Sequence, residues 1–396
     1  MTAPSRPAFR VDTSVCSGCK ACQIACQDRN GLEAGRLWRR VYEVAGGDWH
    51  SEGAAWRPDI FAYNLSLSCN HCEAPICAEV CPSGAMHTRE DGLVLLNEDA
   101  CLGCGYCGWA CPYGAPQLRA DAGVMSKCTF CVEDLDEGRA PACVSACPVR
   151  ALDFESGMPQ EAPPRIDPLP DPELTRPALV LKAHADAGRA HDRDLDIEPG
   201  LPHGLREWSL VLFTLLVQMA VGLSVGLGLV RPWLGPVAGT AGQILVPSLT
   251  LVAMAVSALH LGRPRNMIRA VANLRWSWLS REILLAVGFL GLGLWAVVTD
   301  AVLVRQWLLP VSGVGLLVGM SRVYMLRTVP VWNRVRTQVG FGVTGFLPGL
   351  ILPAVPLLME KGAVAGWAAS SVWTVGLGLA IWQRSRFYGA YVRRGV

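Results

Sequence analysis

Apolar residues run differently in the two halves of this chain. From Leu205 onward, apolar stretches recur at about 205–230, 240–261, 281–299, 306–326, 339–359 and 363–383. Each is near the roughly 20 residues needed to cross a bilayer core, and together they predict six transmembrane helices. Buried helices of a soluble protein fit less well, because only four acidic residues fall among the 192 of this half. Ahead of these runs the pattern is short and broken. Between Met86 and Leu96 an Asp91-Gly92 turn joins two β-prone stretches, which predicts a hairpin. Residues 155 to 204 hold nine prolines and ten acidic residues and predict an extended strap. The domains expected are therefore 1–155, a linker over 156–204, and a membrane domain over 205–396.

Charge divides the sequence at the same place. Before residue 205 there are 18 Lys and Arg against 29 Asp and Glu, with all sixteen cysteines; beyond it the count is 17 against 4, with no cysteine and ten of the fourteen tryptophans. The overall charge of +2 is the sum of two opposite bodies. This excludes a single soluble domain and a disordered polypeptide. It also speaks against nucleic acid as a partner, since the positive charge sits between apolar spans.

The cysteine spacing carries the chemistry. Cys16, Cys19, Cys22 and Cys26 read C-x2-C-x2-C-x3-C, and Cys101, Cys104, Cys107 and Cys111 repeat it. Cys69, Cys72, Cys77 and Cys81 read C-x2-C-x4-C-x3-C, and Cys128, Cys131, Cys143 and Cys147 read C-x2-C-x11-C-x3-C. Three of these runs end in Cys-Pro, at Pro82, Pro112 and Pro148, and each is followed at matching offsets by Gly84-Ala85, Gly114-Ala115 or Arg150-Ala151, an internal repeat. This is the ferredoxin pattern, in which three close thiolates hold three corners of a cubane and the fourth reaches a neighbouring cluster. Four runs predict four [4Fe-4S] clusters. Structural zinc wants two separated pairs of thiolates, which only the fourth run resembles. A disulfide scaffold would need a secretory signal, and neither that nor a twin-arginine signal is read at Met1–Arg10; Arg39-Arg40 lacks a following apolar core. His71 and His87 lie among the cysteines and are expected to be structural, because every cluster already has four thiolates. His184, His191 and His203 are too far apart to suggest a site.

The stretches CPSGAMHTREDGLVLLNEDACLGCGYCGWACPYGAPQ (81 to 117) and KCTFCVEDLDEGRAPACVSACPVRALDF (127 to 154) resemble the four-cluster electron-transfer subunit of dimethyl sulfoxide reductase and its relatives. The resemblance covers residues 9 to 155. It implies ligand sets that cross between runs: Cys16/Cys19/Cys22/Cys147, Cys128/Cys131/Cys143/Cys26, Cys69/Cys72/Cys77/Cys111 and Cys101/Cys104/Cys107/Cys81. It also implies a molybdopterin-containing catalytic subunit as partner.

In the membrane half, an even number of spans puts both ends on one face. That face carries the loop 262–281 with Arg263, Arg265, Arg269, Arg275 and Arg281, the loop 327–338 with Arg327, Arg334 and Arg336, and a tail with Arg384, Arg386, Arg393 and Arg394, while the opposite loops carry Arg231, Arg305 and Lys361. By the positive-inside rule this places the iron-sulfur domain in the cytoplasm, at the inner membrane; docking of the acidic cluster domain is the other reading of these arginines. His260 ends the second span and Glu282 opens the third, with Arg281, Arg322 and Tyr324 on the same face. Ionisable groups at membrane depth suggest a functional site, and a histidine with a carboxylate could exchange protons with a quinone, menaquinone or ubiquinone. A pair that merely snorkels to the interface is the alternative. The segments HLGRPRNMIRAVANLRWSWLSREI (260 to 283) and SRVYMLRTVPVWN (321 to 333) are similar to the dimethyl sulfoxide reductase membrane anchor, and this implies a menaquinol site at His260 and Glu282. That anchor has eight spans where six are read here. One histidine cannot supply the two axial ligands of a b-type haem, so no haem is expected.

The expected architecture is an α+β ferredoxin-like polyferredoxin domain followed by an all-α transmembrane bundle of about six helices. The expected function is electron transfer between quinone and a catalytic subunit. A sulfite dehydrogenase-like complex is preferred. A reductase of S-oxides, N-oxides or polysulfide is the alternative, as is a tethered cluster carrier without a quinone site.

Overall fold

A computed structural model describes residues 6–157, 162–166, 169–189, 208–230, 233–234, 236–299, 301–354 and 363–389. The protein forms two compact units that part near residue 200.

The first unit is built from very short elements. In sequence order they are β1 (Pro7–Asp12), α1 (Ala21–Arg29), β2 (Arg40–Gly46), β3 (Trp49–Glu52), β4 (Ala55–Pro58), β5 (Phe61–Leu67), α2 (Ile76–Glu79), β6 (Met86–Thr88), β7 (Val94–Leu96), α3 (Tyr106–Ala110), β8 (Gln117–Arg119), β9 (Val124–Ser126), α4 (Val132–Asp136), α5 (Ala142–Ser145), β10 (Leu152–Ser156) and β11 (Leu179–Lys182). Helices of four or five residues cannot persist on propensity alone. Three of these four short helices lie at the last two cysteines of a run: α2 holds Cys77, α3 holds Cys107 and α5 holds Cys143, each with the run's final cysteine one or two residues beyond. Each Cys-Pro run then leads into a strand, so the repeat in sequence is a repeat in structure. The hairpin read at Asp91-Gly92 is β6–β7, with Gly92 at φ +85° and Asp91 Oδ1 accepting from Leu93 N at 3.1 Å.

The acidic, proline-rich stretch departs from the expected linker. β11 pairs parallel to β1, which pairs antiparallel to β10, giving a three-stranded sheet in the order β10-β1-β11. Ile166, Ala178, Leu179, Leu181 and Ala187 are buried. Leu179 and Leu181 are buried while Val180 and Lys182 between and after them are less so, and the segment is an integral strand of the cluster domain despite the prolines around it. His184 stacks on Tyr63 at 5.2 Å between ring centroids; His191 and His203 lie outside the described residues.

The second unit contains long helices at Trp208–Val230, Pro236–Ala258, Trp278–Thr299, Leu309–Tyr324, Val335–Ile351 and Ala363–Gly389, with a π-helical turn at Val304–Leu308 leading into the fourth. Among the described residues, four helices are long and apolar enough to cross a membrane: Trp208–Val230, Gly239–Ala258, Trp278–Thr299 and Val304–Tyr324. The fifth has 17 residues, shorter than the expected 339–359, whose end lies outside the described residues. The first and fifth helices pack backbone to backbone. A Cβ placed on Gly222 would lie 2.2 Å from Phe346 O, and one on Gly349 would lie 2.2 Å from Met219 O. With Gly226 and Gly345 these form two facing small-x3-small stripes.

Arg384 corrects the expected charge map. It belongs to the sixth helix, is 1% exposed, and donates to Gln218 Oε1 at 2.8 Å and to Thr344 Oγ1 at 3.4 Å. It is therefore an interhelical tie and does not count toward a charged tail. Arg305, expected in an exposed loop, is buried in the π-helical turn. Arg231, Lys361, Arg393 and Arg394 lie outside the described residues.

Candidate cluster thiols and membrane site

The thiols gather into sets that cross the sequence runs. Cys16 has Cys19 and Cys147 beside it, and with Cys22 these line one pocket. Cys26 stands with Cys131 and Cys143, and Cys128 with Cys26 and Cys143. Cys111 stands with Cys69, Cys72 and Cys77. Cys81 stands with Cys101, Cys104 and Cys107. Pairs join one set to the next: Cys22 neighbours Cys143, Cys128 neighbours Cys69, and Cys107 neighbours Cys77. These contacts link the four sets in that order.

The backbone explains why the first two cysteines of each run open onto a set. The residue two beyond the first cysteine has positive φ in all four runs: Gly18 at +69°, His71 at +40°, Gly103 at +67° and Phe130 at +64°. In this turn an amide comes back toward the preceding sulfur, as where Gly103 N donates to Cys101 Sγ and Phe130 N to Cys128 Sγ, both at 3.4 Å. Met86 N donates to Cys81 Sγ at 3.4 Å and Met125 N to Cys101 Sγ at 3.5 Å. Such donors favour thiolate over thiol. Glycine takes the left-handed conformation freely, but His71 and Phe130 must be held in it. Val94 N donates to His71 Nδ1 at 3.1 Å, and Phe130 stacks on Phe9 at 3.9 Å between centroids. His71 thus acts through its backbone and packing; His87 is exposed, its Nδ1 3.1 Å from Ala85 O.

The donor chemistry fits iron-sulfur clusters. Burial pushes the Cys26 and Cys104 thiols up to about 12 and the Cys77 and Cys107 thiols well above their ordinary value. Thiols so raised are poor free nucleophiles, and a metal bound to them would have to displace their protons. Arg39 Nε and Asn70 Nδ2 are buried N–H groups without a hydrogen-bond partner among the described residues, which anionic sulfide would satisfy. Among the described residues, no three His, Cys, Asp or Glu side chains converge on the position of a single ion, whereas a cubane spreads its four thiolates around a larger body.

The membrane residues are only partly brought together. Glu282 is 3% exposed on the third helix, where the fourth helix passes closely at Gly319. His260 follows the second helix with its Nδ1 buried and without a partner among the described residues. No hydrogen bond or ion pair joins the two among the described residues. Arg281 Cζ lies 4.4 Å and Arg322 Cζ 5.7 Å from the Trp278 ring, so these two cations share one aromatic side chain. Arg281 also donates to Leu274 O at 2.9 Å and Arg275 O at 2.7 Å. Tyr324 joins a different group, packing edge-on against Trp332 and Phe387 at 5.6 and 5.2 Å.

Comparison with known proteins agrees with both halves. The 4Fe-4S dicluster domain family matches residues 60–157, and the DMSO reductase anchor subunit family matches residues 201–376. A chain of the anaerobic dimethyl sulfoxide reductase of Escherichia coli is 49% identical over 183 residues, 45% of this polypeptide and 89% of that protein. The protein is a member of the dimethyl sulfoxide reductase iron-sulfur subunit family. Its counterpart in the anaerobic dimethyl sulfoxide reductase of Haemophilus influenzae is 45% identical over 189 residues, 46% of this polypeptide and 92% of that one. A sulfite dehydrogenase subunit of Allochromatium vinosum is more distant, 37% identical over 169 residues, 37% of this polypeptide and 67% of that protein. This family member is an iron-sulfur electron-transfer protein that carries a membrane-anchor domain in the same polypeptide.

Proposed function

We propose that this protein relays electrons between the quinone pool and a separate molybdopterin-containing catalytic subunit, through four [4Fe-4S] clusters held by the crossed thiol sets. The observation that carries this reading is the succession of four neighbouring thiol sets in a polypeptide that also supplies apolar spanning helices. Bound clusters take up and pass on one electron at a time. The sixteen cysteines hold them, the left-handed turns direct amides at their sulfurs, and the apolar core excludes water. In the membrane unit, His260 hydrogen-bonds a quinone oxygen and Glu282 exchanges the proton that accompanies each electron. Arg281 and Arg322, beside the Trp278 ring, are the cations assigned to the quinone site. Tyr324 packs in a separate aromatic group with Trp332 and Phe387.

S-oxide or N-oxide reduction by the partner, with quinol oxidised here, is supported by the higher identity to dimethyl sulfoxide reductase chains. A sulfite dehydrogenase-like complex that reduces quinone is the second reading. It is favoured by the arginine-rich loops, which by the positive-inside rule put the cluster unit on the cytoplasmic side of the inner membrane. One experiment separates them. The intact complex, purified in detergent, is assayed for molybdenum, for S-oxide reduction with a quinol analogue and for sulfite oxidation with a quinone analogue. Full quinone-coupled turnover in both His260→Ala and Glu282→Gln would leave a tethered cluster carrier and remove the quinone site.

A further inference from the structure

Arg39 is a fully buried guanidinium among the thiols of the cluster unit. Arg39 is 1% exposed, and among the described residues no carboxylate pairs with it. Its Nη1 donates to Ser66 Oγ at 3.2 Å, its Nη2 donates to Ser68 Oγ at 2.8 Å, and its Cζ lies 4.3 Å from the Phe9 ring centroid. A buried cation is costly unless anions face it, and the anionic groups around this one are Cys143, Cys128, Cys22 and Cys26. The four sulfurs belong to two different sets. Ser66 gives the contact a direction: its Oγ accepts from Arg39, so its own proton is left for Cys22 Sγ, 3.5 Å away.

Resting on the cluster reading above, we propose that Arg39 is the shared counter-cation of the clusters held by Cys16/Cys19/Cys22/Cys147 and Cys26/Cys128/Cys131/Cys143, and that it raises the reduction potential of both. Ser66 conveys part of that effect to Cys22. Reduction adds one electron and no proton to a cluster, so a fixed positive charge in a poorly screened interior favours the reduced form. Hydrogen bonds to the ligating sulfur act in the same sense. Arg39 touches neither quinone nor substrate; it is a positioning residue for charge.

The test is a redox titration of the intact complex followed by electron paramagnetic resonance, with iron analysis on the same samples. In Arg39→Gln, iron stays at about sixteen atoms per polypeptide, counting four per cluster. Two of the four midpoints move down together and the other two hold. Arg39→Lys, which restores the charge, returns both toward their starting values. Cys22→Ser and Cys131→Ser identify the affected pair by altering the same two signals. If iron is retained and all four midpoints stay, or all four move equally, the proposal is overturned. Should Arg39→Gln lose its iron, Ser66→Ala decides: a downward shift confined to the cluster marked by Cys22→Ser upholds the proposal, and unchanged midpoints overturn it. A wild-type complex lacking about sixteen iron atoms removes the cluster reading itself, and the proposal with it.

Discussion

The two units bury charge in opposite ways. In the cluster unit, Arg39 and Lys127 are buried within a ring of thiols and carbonyls; Lys127 Nζ donates to Val94 O and to Cys128 O. In the helical unit, Arg384 is buried against neutral side chains of two neighbouring helices, and Glu282 is buried beside the fourth helix. The first unit holds short elements together through its ligands and needs cations to balance them. The second holds long helices together through backbone approach and apolar surface, and tolerates few charges. A substitution should therefore fail differently in each: loss of metal in one, loss of helix association or of proton exchange in the other.

The largest effect is expected where the helices touch. Gly222→Leu or Gly349→Leu puts a side chain where Phe346 O or Met219 O already lies at 2.2 Å from the Cβ position, and the first and fifth helices must separate. A cost of about 3 kcal/mol or more is expected, since backbone cannot yield as a side-chain tip would. Thermal unfolding in detergent should show it, with iron still bound at low temperature. Retention of wild-type stability would mean the two stripes do not face each other.

A ligand change comes next and tests the crossed sets. Cys111→Ser should remove or alter the cluster that also uses Cys69, Cys72 and Cys77, while spectra assigned to Cys101, Cys104 and Cys107 remain. The opposite result, damage confined to the cluster of Cys101, Cys104 and Cys107, would restore an uncrossed arrangement.

Proton exchange is the third. Glu282→Gln, or His260→Ala, should lower quinone-coupled turnover by about 100-fold or more, the usual scale for a removed acid or base. Electron transfer from an artificial dye to the clusters should be unaffected. Equal loss with quinone and dye would assign both residues to folding.

The smallest effect lies on the surface. Arg89 Nε donates to Asp91 Oδ2 at 3.0 Å across the β6–β7 turn. Burial pushes the Asp91 carboxyl up, but Arg89 and Leu93 N–H outweigh it and hold it below the ordinary value. Its contribution is therefore present above the unfolded carboxyl value of about 3.9 and is lost as pH falls through the depressed folded value. Arg89→Ala should cost about 0.5 kcal/mol and flatten that acid dependence. A loss above about 2 kcal/mol would mean the hairpin organises more of the core than its exposure suggests.

Much of this organisation is written in local sequence. Ligand spacing and the Asp91-Gly92 turn are short-range signals, and apolar runs reach helical length without help from distant residues. What sequence does not disclose depends on contacts made with distant residues. Leu179–Lys182 reads as part of an acidic strap because its partner strand is 170 residues away, as Lys182 Nζ on Asp12 Oδ2 illustrates. The short apolar run Leu179-Val180-Leu181 is the available signal. Arg39 reads only as half of an arginine pair, since nothing in a linear pattern distinguishes a buried arginine from an exposed one. The left-handed turns are half visible: Gly18 and Gly103 announce them, whereas His71 and Phe130 reveal the same geometry only by their equal offset within a run. Arg384 reads as part of a charged tail for a related reason, because only a helix extended to Gly389 carries it inward, against Gln218.

Iron and acid-labile sulfide counts on anaerobically purified complex test the central claim most directly. The account predicts about sixteen of each per polypeptide, divided among four spectroscopically distinct centres. About four zinc ions and little sulfide would contradict it.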